Sequence, residues 1–235
     1  MFIDLHTHCI PDMDDGAADI QTALSMLSES YNQGVKLTVL TPHCILRDEG
    51  CIEDFLEKRN QKHDFIVSES ISQKATIPEL LLGAEVYLDN DISKFQGLDR
   101  LCMQGTNIML LELPEGKISR RAAEWIYNLT LLGIHPLLAH IERYRMTQEN
   151  FVEFSEFDTD YQVNANLFCS FKGRRVLKKM LNITDKLVVS SDMHNTGNRS
   201  CNLLRAYDIA TSKFPQNAQA LFVDNAVRLL KNQAK

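Results

Sequence analysis

With 235 residues, 44% of them hydrophobic, the chain has enough apolar content to bury one sizeable core, and a single domain over residues 1–235 is expected. Its formal charge of −6 provides no basic footprint for a phosphate backbone, which argues against nucleic acid as a partner. No run approaches the ~18 uninterrupted apolar residues of a membrane span. The six cysteines form no C-x-x-C pair and read as reduced thiols, so a cytoplasmic protein without membrane insertion is expected.

Short β-branched and apolar runs alternate with longer amphipathic ones, the pattern of strands each followed by a helix around a parallel sheet. Seven strands are expected, at 2–6, 36–41, 78–86, 106–112, 134–140, 161–164 and 186–192. After the first strand, Ile20, Ala23, Leu24, Leu27 and Tyr31 recur at the spacing of one helical face, and Gly34 supplies the stop. The charged stretch 51–73 is expected to be helical. Another helix runs from a cap at Ser119 to a stop at Gly133, with Ala122, Ile126 and Leu129 on one side. The last twenty or so residues, through Ala218, Leu221, Phe222, Ala226 and Leu229, form a closing helix. The reading is an α/β fold, a single (β/α) barrel.

In such a barrel the chemistry collects where the strands end. The first strand ends in Asp4-Leu5-His6-Thr7-His8 and the second runs into Thr41-Pro42-His43. Then follow Gly83-Ala84-Glu85, Leu111-Glu112, Ala139-His140 and Ser190-Ser191-Asp192-Met193-His194, so six of the seven strands deliver a potential metal ligand. His6 and His8 are two apart, which in extended backbone sends both imidazoles to one side. Five of the seven histidines thus gather at one rim. His63, in a charged helical stretch, and His135, at the opposite end of its strand, read as structural or solvated. Mixed imidazole and carboxylate donors suit zinc, manganese or iron better than calcium.

The stretches His6-Thr7-His8 with Asp14-Asp15-Gly16, Thr41-Pro42-His43, Gly83-Ala84-Glu85, His140-Ile141-Glu142-Arg143-Tyr144 and Ser191-Asp192-Met193-His194 resemble the PHP (polymerase and histidinol phosphatase) superfamily. Within it they are most similar to the bacterial tyrosine phosphatases of capsular and exopolysaccharide synthesis. The resemblance implies a distorted seven-stranded (β/α) barrel of PHP type with up to three divalent ions, usually manganese. It implies that His6, His8, Glu85 and Asp192 hold one ion, that Glu85 bridges to a second held by Glu112 and His140, and that Asp15, His43 and His194 hold the third. It makes Arg143 and Arg199 phosphate binders, in keeping with the bidentate grip of a guanidinium. The implied reaction is hydrolysis of phosphotyrosine on protein, on the tail of a bacterial tyrosine kinase, by a metal-bridging hydroxide.

Two other readings keep the site: a phosphoesterase for a small monoester such as histidinol phosphate, and a metal-binding regulatory module without turnover. A rival signature, C-x5-R from Cys169 to Arg175, lacks the small residues a phosphate-cradling loop needs and opens a helix, so Cys169 reads as an inert thiol. Asp12 and Asp14 are expected to be solvated neighbours of Asp15. The segment after His43, Cys44-Ile45-Leu46-Arg47-Asp48-Glu49, is less basic than the corresponding loop of the tyrosine phosphatases.

Overall fold

The computed structural model describes residues 1–116 and 118–231. The fold is mixed α/β, with every strand pair parallel. The strands are β1 (Phe2–Thr7), β2 (Val35–Leu40), β3 (His43–Ile45), β4 (Glu79–Leu82), β5 (Glu85–Tyr87), β6 (Ile108–Glu112), β7 (His135–Leu138), β8 (Asp160–Asn164) and β9 (Leu187–Ser190). They form a three-stranded sheet, β1-β2-β4, and a six-stranded one, β3-β5-β6-β7-β8-β9. β1 lies beside β9 through the bonds from Asp192 N to His6 O (3.0 Å) and from His8 N to Met193 O (3.0 Å).

The expected strand at 78–86 is two strands in different sheets, and β3 was not anticipated. Pro42 explains the first break, because it offers no N–H to continue a ladder. Gly83 marks the second: its N–H bonds Leu40 O at 2.9 Å, and a Cβ there would stand only 3.0 Å from Val39 Cγ1. Each break turns the chain inward, and the residues that resume pairing, His43 and Glu85, face each other in register.

The helices are α1 (Ile20–Asn32), α2 (Gly50–Ser72), α3 (Arg120–Leu131), α4 (Gln148–Ser155), α5 (Phe171–Leu181), α6 (Leu203–Lys213) and α7 (Asn225–Lys231). α1 begins where Asp19 accepts from Thr22 N, α3 where Ser119 accepts from Ala122 N, each satisfying an orphan amide. Gly34 and Gly133 stop them in the left-handed region, at φ 94° and 80°. α4, with Thr147 and Asn150 in a reciprocal capping box, was not anticipated. The closing helix is interrupted by a π-helical turn at Ala220–Asp224, and the end of that expected element, residues 232–235, lies outside the described residues.

The helices pack on the outer faces of the sheets through one large apolar core. A second cluster sits on the inner faces, where Ile3, Leu5, Val39, Leu110, Leu137 and Val188 meet Ala226 and Leu229 of α7. At that end of the strands His135 Nε2 lies 2.8 Å from Asp160 Oδ2, which Arg228 of α7 also binds. The opposite ends of the strands carry the polar residues described next. Among the described residues no helix is long and apolar enough to cross a membrane.

Candidate metal centre

The inner end of β1 places His6 and His8 side by side, both fully buried, with their Nε2 atoms 3.1 Å apart. Glu85 Oε2 stands 3.2 Å from each and Asp192 Oδ1 stands 3.6 and 3.5 Å from them. His140 Nε2 lies 2.9 Å from Glu85 Oε1 and 3.5 Å from Glu112 Oε1. His43 Nδ1 lies 2.9 Å from Glu85 Oε2, and its Nε2 is 3.4 Å from Asp15 Oδ1. His194 Nε2 is 3.3 Å from the same Asp15 oxygen. All nine expected donors therefore converge. Three groups have donor atoms within 4.8 Å of one another: His8, Asp15, His43 and His194; His6, His8 and Asp192; His43, Glu85 and Glu112. His8 and His43 each enter a grouping beyond the one the resemblance implies, and His140 approaches through Glu85 and Glu112 rather than within a group.

Two of these donors follow their strands with unusual backbone. His140 and Asp192 have φ of 30° and 51°, a region entered by few residues other than glycine and costing on the order of 1 kcal/mol or more. Each departs from its sheet there, and His140 meets Glu85 while Asp192 meets His6 and His8.

The donor set fits divalent cations for a reason internal to it. His6 Nδ1 lies 3.1 Å from the amide oxygen Gln162 Oε1, and His8 Nδ1 lies 2.7 Å from the carboxylate Asp14 Oδ2. Both acceptors require Nδ1 to carry the proton, so in neutral rings the Nε2 lone pairs aim at each other and at two carboxylates. Glu85 Oε2 and His194 Nε2 are buried without a hydrogen-bond partner. A cation among these atoms satisfies all of them.

Proton equilibria reflect the same crowding. Burial alone would lower His8, yet Asp14 and Glu85 carry it up to about 10. Burial, then the neighbouring His8 and Arg199, pull His194 down to about 4; these two rings stack with centroids 3.8 Å apart and do not share a positive charge comfortably. Burial would raise Glu85, but His6, His140 and His43 hold it well below the usual carboxylate range.

Arg143 and Arg199 both turn to Asp192. Arg143 Nη2 pairs with Oδ2, and Arg199 Nη2 lies 3.3 Å from Oδ1 while its Nη1 reaches Asp15 Oδ2 at 3.2 Å. The centre is graded in exposure. The His6 and His8 side chains are 0% exposed and Glu85 1%, whereas Arg143 and Arg199 are each 33% and Asp15 62%.

Several further residues support the centre, and of these the sequence did not mark Asp14 or Gln162 for it. Asp14 is not a solvated neighbour: besides His8 it accepts from Gly16 N at 2.9 Å and His43 N at 3.0 Å, and burial notwithstanding, His8 holds its carboxyl at about 2. Gln162, on β8, positions His6 and accepts from His140 N at 2.5 Å. Asn164 donates to Asp192 Oδ2 at 2.8 Å. Tyr144 Oη accepts from Leu113 N at 2.9 Å and lies 3.4 Å from His140 Nδ1.

The residues expected to take no part in the centre fall elsewhere. Asp12 pairs with Lys62 at the surface, and His63 faces Asp64 on α2. Cys169 precedes a helix start rather than a phosphate cradle. Ser170 accepts from Gly173 N, a Cβ at Gly173 would meet Leu167 O at 2.0 Å, and Arg175 stacks on Phe171.

A cluster of this composition at the strand ends of a parallel α/β fold is a candidate metal centre of the kind that metal-dependent hydrolases use. A family model described as capsular polysaccharide synthesis, CpsB/CapC, matches residues 2–231, and the chain belongs to that family. It is 30% identical over 244 residues to tyrosine-protein phosphatase CpsB of Streptococcus pneumoniae, covering 98% of this chain and 99% of the relative. To tyrosine-protein phosphatase YwqE of Bacillus subtilis strain 168 it is 28% identical, covering 98% and 92%. Among solved structures, one from the work on B. subtilis YwqE and S. pneumoniae CpsB, described there as metal-dependent tyrosine phosphatases, superposes with a TM-score of 0.81 at 24% identity over 99% of this chain and 95% of that one. A phosphotriesterase homology protein from Escherichia coli shares the fold at TM-score 0.55 and 10% identity, over 98% of each chain.

Proposed function

We propose that this protein is a metal-dependent protein-tyrosine phosphatase of the cytoplasm. Its substrate is phosphotyrosine on the tail of a bacterial tyrosine kinase that controls capsular or exopolysaccharide synthesis, and its metal is manganese, with zinc and iron as the competing identities. In this reading residues 1–235 are one domain. β2 with β3, and β4 with β5, are interrupted staves that reduce nine strands to a distorted seven-stranded (β/α) barrel.

The observation that carries the reading is the gradation from a sealed floor to an open rim. His6, His8, Glu85 and Asp192 lie buried, while Arg143 and Arg199 stand partly exposed above Asp192. A tyrosine on a flexible segment reaches such a centre from outside. A small monoester is better served by a closed pocket that buries most of its surface.

His6, His8, Glu85, Asp192, Glu112, His140, Asp15, His43 and His194 are the residues that would hold the ions. Divalent cations there supply the charge that acidifies water for attack on phosphorus and offsets the carboxylates. Asp14 and Gln162 keep the Nδ1 protons of His8 and His6, leaving their Nε2 lone pairs directed inward. Arg143 and Arg199 grip phosphate oxygens, with Asp192 holding both guanidinium groups near that position beforehand. A phenolate has a pKa near ~10 and departs without a dedicated general acid.

The test is hydrolysis of a phosphotyrosine peptide by purified protein, chelated and then restored with manganese, beside His6→Ala/His8→Ala and Cys169→Ser variants. Activity should vanish on chelation, return with manganese, disappear with the histidines and survive the cysteine change. Activity that ignores the chelator and dies with Cys169 would overturn the reading, and cleavage of small phosphate esters alone would replace the substrate.

A further inference from the structure

Directly beside the centre the surface opens into a cleft of about 310 Å³ that the chemistry above does not use. Its walls are chiefly Leu113, Ile118, Ala122 and Trp125, with Asp89 and Arg121 at the edge. Leu113, Ile118 and Ala122 are 2%, 7% and 4% exposed, and Trp125 packs partly against the core, so the cleft has an apolar lining. Of its polar residues, Asp89 is already paired, Arg47 Nη1 holding its Oδ2 at 2.8 Å.

The cleft is fastened to the centre on one side and braced across its walls on the other. Leu113 follows the donor Glu112, and its N–H is held by the same Tyr144 hydroxyl that lies against His140. Asn128 of α3 donates to Asp91 Oδ2 at 3.2 Å, tying the helix that carries Ala122 and Trp125 to the loop that carries Asp89. The hollow is largely apolar, its walls are tied to one another, and its wall residue Leu113 directly follows the candidate donor Glu112 in the chain.

We infer that this cleft is a specificity subsite that receives an apolar side chain of the substrate segment, one to three residues from the phosphotyrosine. The inference rests on the phosphotyrosine-protein reading above. An extended segment advances ~3.3–3.6 Å per residue, so residues one to three from the phosphotyrosine lie roughly 3–11 Å from it along the segment. The volume admits one aliphatic or aromatic side chain, and burying such a group is worth on the order of 10- to 100-fold in binding.

The experiment uses manganese-loaded protein and phosphotyrosine heptapeptides in which a single leucine is walked through glycine at positions −3 to +3, with free phosphotyrosine as the common reference. One position should raise kcat/KM at least about tenfold over the all-glycine peptide. In Trp125→Ala and in Ala122→Asp, the ratio of kcat/KM for that peptide to kcat/KM for free phosphotyrosine should fall about tenfold. Trp125 is the chain's one tryptophan, so its emission should shift when metal-free protein binds the leucine peptide and stay put with the glycine one. Hydrolysis of all peptides without positional preference, or a preference that survives in both variants, would overturn the subsite alone. Failure to hydrolyse any phosphotyrosine substrate would overturn the phosphatase reading and the subsite with it.

Discussion

Replacing Asp14 by asparagine removes a charge without removing volume, and the surrounding donors leave no good orientation for the amide. Its Oδ2 accepts from His8 Nδ1 at 2.7 Å and from His43 N at 3.0 Å, and its Oδ1 accepts from Gly16 N at 2.9 Å. An amide has one oxygen for these donors, so its NH2 must face at least one N–H whichever way it is turned. The carboxylate behind His8 also raises the basicity of its Nε2. Partners in that position are worth roughly 10- to 100-fold in metal affinity, equivalent to about 1.4–2.7 kcal/mol. Calorimetric titration of metal-free protein with manganese should show that loss. The melting temperature at a fixed metal concentration about 100-fold above the native dissociation constant should fall with it, because a ligand at free concentration L stabilises by RT ln(1 + L/Kd). An Asp14→Asn protein that binds manganese as tightly as the native one would refute the claim that Asp14 fixes the His8 tautomer.

Other consequences are separable from this one. At the far end of the strands Asp160 is 1% exposed. Burial would raise its carboxyl, but His135 and Arg228 hold it below the usual range. That stability is fully present above ~pH 4 and is lost as pH falls through the lower folded value. In urea titrations Asp160→Asn should be less stable than native by roughly 3 kcal/mol at pH 7 and should lose less between pH 5 and pH 3; parallel curves would show that the cluster contributes nothing. Gly16→Ala would bring a Cβ to 2.1 Å from His8 O, so a cost of about 1–3 kcal/mol is expected, with weakened metal binding as the loop of Asp14 and Asp15 is displaced; unchanged thermal melting would exclude the clash. Gln162→Leu removes the acceptor for His6 Nδ1 and His140 N and should raise the manganese dissociation constant about tenfold or more, read by the same titration.

The alternation of strand and helix was legible because it is a property of many residues at once, and so was the rim, where separate donor motifs end successive strands. What escaped detection depends on single residues whose meaning is tertiary. Gln162 is one polar residue in a buried strand, and only the arrival of His6 from a strand 156 positions away makes it a positioning group. Asp14 and Asp12 look alike in sequence, yet one lies under His8 while the other faces Lys62. The breaks at Pro42 and Gly83 were visible as residues, but a proline and a glycine near a strand end are equally compatible with termination. Only the pairing of His43 with Glu85 reveals that the chain resumes in a second sheet. The capping box of Thr147 and Asn150 was a local signal that could have marked α4.

The inner apolar cluster has an implication for the order in which the protein matures. Residues from β1 and β2 meet partners from β6, β7 and β9 there, but Ala226 and Leu229 close it from below. Strands made early by the ribosome therefore wait, with one face still wet, until α7, nearly two hundred positions or more later, has emerged. Nascent chains halted before residue 218 should remain sensitive to protease throughout, and protection should arrive abruptly rather than strand by strand.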